Sequence, residues 1–136
     1  MPAHSEDFPW PSYYRNYNFF ESRMRAHNKI TDVEASGDGF YVLTTTAGDT
    51  IRVFICECYS FGVAEYHEAN EKLGKLNAII INSNWCGYSY ECKKHCRDDE
   101  VGLFDIRDFM AALNCDAPWN YLNESDKEYF QQNGWL

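Results

Sequence analysis

Basic residues are scarce in this sequence, and the shortage limits its partners. The 136 residues include 12 Lys and Arg against 21 Asp and Glu, for a formal net charge of −9 and a pI of about 4.8. Proteins that bind nucleic acid normally carry a surplus of Lys and Arg against the phosphates. We therefore do not expect the chain alone to bind nucleic acid directly, and we expect a protein partner.

Long apolar runs and targeting signals are also absent. The longest candidate run, residues 78–81, is far short of the ~20 residues of a membrane-spanning helix. Residues 1–10 lack the basic start and apolar stretch of a secretory signal. We therefore expect a soluble cytoplasmic protein with no membrane segment. In that compartment the six cysteines are read as reduced thiols, metal ligands or redox groups, and not as a disulfide framework.

The composition predicts one folded domain. Hydrophobic residues make up 45% of the chain and aromatic residues 17%, which supplies large units of buried surface. Three prolines in residues 1–12 exclude a regular helix and predict an extended arm. We assign residues 13–116 to the domain and residues 117–136 to an aromatic tail that packs on it.

The periodicity of apolar residues predicts an α/β fold. A helical spacing over residues 13–28 precedes three strands, 30–35, 40–46 and 50–58, separated by glycine-containing turns that favour an antiparallel meander. Both alternating faces of the third strand are largely apolar, which indicates a central position in the sheet. Further elements alternate as helix, strand, helix, strand and helix: 63–73, 78–81, 90–97, 101–104 and 106–113. The result is a mixed sheet flanked by helices.

This order of elements resembles the restriction-endonuclease-like nuclease superfamily, the PD-(D/E)xK fold, and most closely its Mrr-type domains. Segments that carry the resemblance are residues 20–21, 37–39, 54–59, 79–84, 91–96 and 101–105. The family's catalytic triplet binds a divalent metal with acidic residues on two strands, and a lysine orients the attacking water. Here the corresponding positions hold Val42, Ile55 and Glu57, so the motif is degenerate.

Two functional hypotheses follow from the resemblance and from the degenerate catalytic motif. The first is an acidic, non-catalytic domain acting through protein contacts, as an inhibitor, immunity-type protein or complex subunit in a bacterial or phage conflict system. The alternative is a Mg²⁺- or Mn²⁺-dependent DNA endonuclease with a rearranged site. In that site Glu57 would bind the metal with Asp38, Asp49 or Glu21, and Lys72 would replace the missing lysine. Asp38 and Asp49 have a simpler interpretation as turn residues.

A zinc site is the remaining metal hypothesis. Cys86, Cys92, His95 and Cys96 offer the thiolate and imidazole ligands that zinc prefers. Their spacing matches no standard zinc module, and on a helix Cys92 and Cys96 share one face. We therefore favour buried reduced thiols over a zinc site and expect no resident cofactor.

Aromatic residues near both termini are candidates for an interaction surface. Trp10, Tyr13, Tyr14 and Trp119 belong to the residue types favoured at protein interfaces. The alternative is that the arm and the tail wrap the domain and bury these rings.

Overall fold

The computed structural model describes residues 7–82 and 86–136, and it forms an α/β domain. Residues 1–6 of the predicted arm, and residues 83 and 84 of the family-like segment 79–84, lie outside the described residues. The helices are α1 (Tyr14–Ala26), α2 (Val63–Leu73), α3 (Tyr90–Asp98), α4 (Ile106–Ala112) and α5 (Glu124–Gln132). The strands are β1 (Ile30–Gly37), β2 (Phe40–Thr45), β3 (Thr50–Cys56), β4 (Ser60–Phe61), β5 (Ala78–Ile81), β6 (Gly87–Tyr88) and β7 (Gly102–Phe104).

A mixed five-stranded sheet organises the domain, with strand order β1-β2-β3-β5-β7. The first three strands form the predicted antiparallel meander, and β5 and β7 continue the sheet parallel to β3. Parallel neighbours need crossover connections, which α2 and α3 supply. The predicted central position of β3 is therefore confirmed.

Helices cover both faces of the sheet because β3 and β5 present apolar side chains on each side. Val53 and Ile55 of β3 belong to the core beneath α1 and α4. Phe54 and Cys56 alternate with them and belong to the core beneath α2 and α3. The alternation predicted for this strand is thus realised as two cores, one on each face.

Local signals set the ends of several helices. The Ser89 hydroxyl accepts from the Cys92 backbone N–H at 3.1 Å and so caps the start of α3. Gly74 ends α2 with φ of +80°, a conformation that glycine adopts without steric cost. A small parallel ribbon of β4 and β6 was not predicted, because two-residue strands leave no periodic signal.

Both terminal segments pack on the domain over their described residues. Trp10 is 2% exposed and contacts the rings of Phe8, Phe54 and Phe61. In the tail, α5 places Phe130 in a fully buried position. Each terminal segment therefore contributes an aromatic side chain to the buried interior.

No helix in the described part of the chain combines the length and the apolar character needed to cross a membrane.

Candidate functional site

A cleft of about 790 Å³ opens where the parallel strands β3, β5 and β7 end. Glu57, Asn82 and Asp105 are the first residues after these three strands. Adjacent parallel strands end at the same edge of a sheet, and α/β proteins commonly bind ligands at that edge. We call this site the carboxyl-edge cleft. Its lining consists of Tyr13, Arg15, Asn16, Phe19, Glu57, Ile81, Asn82, Cys86, Gly87, Tyr88, Asp105, Ile106 and Arg107.

Glu57 is the most unusual residue of the carboxyl-edge cleft, since its charged side chain is fully buried. One carboxylate oxygen, Oε1, accepts from the Asn16 side-chain amide at 2.5 Å and from the Tyr13 backbone N–H at 3.5 Å. The other oxygen, Oε2, is buried and has no hydrogen-bond partner among the described residues. An unsatisfied buried polar atom costs about 1–3 kcal/mol, and more when it is charged. A donor that formed a hydrogen bond to Oε2 of Glu57 would therefore stabilise the protein.

Asn82 provides an unused donor in the same cleft. Its backbone N–H donates to the Cys56 carbonyl at 3.0 Å, which holds the residue beside the end of β3. Its side-chain nitrogen Nδ2 is buried, and within residues 7–82 and 86–136 it has no hydrogen-bond partner. An acceptor on Glu57 and a donor on Asn82 therefore lie at the ends of neighbouring strands. A molecule offering one donor and one acceptor would complement this pair.

Two arginines border the carboxyl-edge cleft. Arg15 lies in the first turn of α1 and Arg107 in the first turn of α4, and both side chains are exposed. Among residues 7–82 and 86–136, no ion pair joins either arginine to a carboxylate. The lining of the cleft thus holds two arginines together with two carboxylates, Glu57 and Asp105, in a protein of net charge −9. Guanidinium groups favour phosphate and carboxylate oxygens, which they bind in a bidentate manner.

The structure does not bring the four residues of the nuclease hypothesis together. Asp49 precedes β3 and Glu57 follows it, so strand geometry separates them by about 25 Å. Lys72 lies in the last turn of α2, near the edge of the sheet at which β3 begins. Arg52, near the start of β3, donates to the carbonyl of the neighbouring Leu73. Only Glu57 of the four lines the carboxyl-edge cleft.

The other proposed carboxylates have structural roles. Asp38 lies near the edge of the sheet at which β3 ends. It occupies the β1–β2 turn with φ of +55° and is exposed, as its interpretation as a turn residue predicts. Glu21 accepts a hydrogen bond from the Tyr41 hydroxyl at 2.8 Å. Within the described ranges, no three His, Cys, Asp or Glu side chains are arranged to hold a metal ion.

The four residues of the zinc hypothesis lie in different environments. Cys92 and Cys96 are fully buried, with their Sγ atoms 4.0 Å apart, and this contact together with burial raises the pKa of the Cys96 thiol. His95 is partly exposed on the outer side of α3, where its Nε2 lies 3.7 Å from Asp99. Cys86 lines the carboxyl-edge cleft instead.

The four predicted interaction residues differ in their exposure and position. Tyr13 and Tyr14 are exposed, by 41% and 79%, and Tyr13 lines the cleft. Trp119 is half-buried and lines a second depression at the opposite edge of the sheet. For Trp10 the predicted exposed contact role is wrong, because the ring lies in the core beneath α2 and α3.

A buried polar cluster lies behind the cleft. Lys93 is 1% exposed; its ammonium donates to the Leu103 carbonyl and lies 3.9 Å from the Asp126 carboxylate. Tyr88, whose ring lines the cleft, donates to the same carboxylate at 3.3 Å. Burial lowers the pKa of Lys93 to about 8, against the attraction of Asp126 and Asp108. Lys93 is therefore a buried cation held by a carbonyl and a carboxylate from two other segments of the chain.

Sequence reasoning missed Asn82, Asp105, Asn16 and the two arginines. A signal existed for the first two, because each is the polar residue that directly follows an apolar strand. No comparable signal marks Asn16 or the arginines, because only the docking of α1 and α4 brings them to the sheet edge.

Comparison of the chain with protein-family models, with curated proteins and with solved structures found no match.

Proposed function

We propose that this protein is a non-catalytic binding domain and that the carboxyl-edge cleft is its binding site. The unpaired Glu57 oxygen and the unpaired Asn82 amide nitrogen, buried in one cleft, carry the proposal. A ligand that reached both atoms would satisfy them and relieve the cost of burying them unpaired. A volume of about 790 Å³ is in the range of small-ligand sites.

A protein partner fits the surface around the cleft. Tyr13 and Phe19 line it and are 41% and 46% exposed, and Tyr14 is exposed nearby. Exposed tyrosines and phenylalanines are enriched at protein interfaces. Because two of these rings border the cleft, a bound ligand would change the surface offered to the partner. The element order and the mixed sheet support the restriction-endonuclease-like resemblance. From that resemblance we take the inhibitor or immunity-type role.

The test of this proposal is a ligand screen by NMR titration of ¹⁵N-labelled protein. Short peptides, amino acids, sugar phosphates and nucleotides are added to wild type, to Glu57→Gln and to Glu68→Gln, which changes an exposed carboxylate on α2. We expect at least one compound to shift cleft resonances in wild type and in Glu68→Gln but to bind at least about tenfold more weakly to Glu57→Gln. Equal binding to all three proteins, or no binding by any compound, would overturn the proposal. If Glu57→Gln does not fold, Asn82→Asp serves in its place.

A metal-dependent nuclease is the second candidate, and one observation favours it. Glu57, Asp105 and the Asn82 side-chain carbonyl place oxygen atoms around the same cleft, with Arg15 and Arg107 at its border. Mg²⁺ is often held by one or two carboxylates together with substrate phosphates. The described lining of the cleft contains no lysine.

Nuclease activity is tested on plasmid, linear and single-stranded DNA and on RNA, in Mg²⁺ and separately in Mn²⁺. Cleavage that disappears with chelator and in Glu57→Gln, but persists in Glu68→Gln, would establish this candidate and refute the non-catalytic proposal. No cleavage on any substrate would leave binding as the function of the cleft.

A further inference from the structure

We infer that the carboxyl-edge cleft binds a free mononucleotide, with the base against Glu57 and Asn82 and the phosphate between Arg15 and Arg107. The inference rests on the proposed function and names its ligand. Three separate features of the cleft support it: the hydrogen-bonding atoms of Glu57 and Asn82, an aromatic border, and two arginines.

The hydrogen-bonding pair complements the edge of a nucleobase. Nucleobases present a ring or exocyclic N–H donor beside an acceptor on their hydrogen-bonding edge. The unpaired Glu57 Oε2 would accept from the donor, and the unpaired Asn82 Nδ2 would donate to the acceptor. Asn16, which lines the cleft and binds the other Glu57 oxygen, is the side chain whose rotation would open the pair to the base.

The aromatic border suits a flat heterocycle. Tyr13 and Phe19 of the cleft lining are both partly exposed, and Tyr88 lines another part of the wall. The Arg23 guanidinium lies 4.9 Å from the centre of the Phe19 ring, which steadies that ring. Bases stack on such rings whatever their identity, so stacking adds affinity without selecting one base.

Arg15 and Arg107 are the residues that would bind the phosphate. Arg15 and Arg107 extend from different helices to the same cleft, and neither has an ion-pair partner in the described part of the chain. The Asp105 carboxylate also lines the cleft, and a phosphate held between the two guanidinium groups would bond to them instead of to Asp105. A nucleic acid strand would add further phosphates next to a protein of net charge −9, whereas a mononucleotide keeps its charge at the arginines. The charge distribution therefore favours a free nucleotide over a strand.

Isothermal titration calorimetry tests the inference with the four ribonucleoside 5′-monophosphates, the corresponding nucleosides, inorganic phosphate and a single-stranded pentanucleotide. The proteins compared are wild type, Asn82→Asp, the double variant Arg15→Gln/Arg107→Gln, and Arg25→Gln. Arg25 is an exposed arginine near the end of α1 that does not line the cleft, so it controls for the loss of charge. Circular dichroism and thermal unfolding establish that each variant is folded.

We expect at least one mononucleotide to bind wild type with a Kd below about 1 mM. Its nucleoside, the Asn82→Asp variant and the double arginine variant should each bind at least about tenfold more weakly, while Arg25→Gln matches wild type.

Three outcomes would overturn the inference. They are no mononucleotide binding, phosphate binding as tight as nucleotide binding with Asn82→Asp unaffected, and tighter binding of the pentanucleotide than of any mononucleotide. If nucleotides fail while a peptide or sugar phosphate binds in a Glu57-dependent manner, the proposed binding function stands and only the nucleotide assignment falls.

Discussion

The buried ammonium of Lys93 predicts an unusual dependence of stability on pH. The group is 1% exposed and lies 4.0 Å from the centre of the Phe104 ring. Its ion pair with Asp126 is long, at 3.9 Å, and its pKa still falls to about 8. Desolvation of the charge therefore outweighs the attraction of the nearby carboxylates. The perturbation we choose is Lys93→Met, which keeps an unbranched apolar side chain and removes the titrating group.

The sign and size of the effect follow from the two pKa values of Lys93. In the unfolded chain the pKa is 10.5 and in the folded domain about 8. Between these values the unfolded chain binds more protons, so the free energy of unfolding rises with pH. The full rise is about 3 kcal/mol, and about 2 kcal/mol of it is reached between pH 7 and pH 9.5. The Lys93→Met variant lacks this contribution.

Urea unfolding followed by circular dichroism, at intervals from pH 7 to pH 9.5, measures the effect. The quantity compared is the difference in unfolding free energy between wild type and Lys93→Met, which should move by about 2 kcal/mol in favour of wild type. Buried thiols such as Cys56, whose pKa burial raises, lower stability above about pH 9 in both proteins, and their contribution cancels in the difference.

Lys94→Met provides the control because Lys94 lies next along the same helix but is 37% exposed and pairs with Asp98 at 2.9 Å. Its unfolding free energy should follow that of wild type with pH. A constant difference between wild type and Lys93→Met from pH 7 to pH 9.5 would refute the reasoning, since Lys93 would then have an ordinary pKa in the folded domain.

Three further predictions concern packing and thiol chemistry. Gly39→Ala should lower the unfolding free energy by at least about 2 kcal/mol, because φ is +81° and an added Cβ would overlap the Ile55 carbonyl oxygen; Gly48→Ala, with positive φ but open space, should lower it by about 1 kcal/mol in the same urea titration. Trp10→Ala should cost about 3–5 kcal/mol by thermal or urea unfolding, and a loss below 1 kcal/mol would show that the arm does not belong to the core. The exposed Cys115 should react with a thiol reagent in the native protein before the buried cysteines, whose modification should follow unfolding. Equal rates would contradict the packing of the core beneath α2 and α3.

The amino-acid sequence by itself determined the order of helices and strands. Periods of two and 3.6 residues, with glycines between them, are local signals that survive without knowledge of distant contacts. They predicted the meander, the central β3 and a helix at residues 63–73, and the structure has all three.

Only the tertiary structure decided which residues share a site. Asn16, Glu57, Asn82 and Asp105 are far apart in the chain and meet because parallel β3, β5 and β7 end at one edge while α1 docks beside them. The same packing decides the burial of Trp10 and Lys93, which no local pattern in the sequence indicates. Burial depends on what covers a side chain, and that cover comes from distant segments such as α5. Local periodicity therefore determined the elements, and their docking created the cleft.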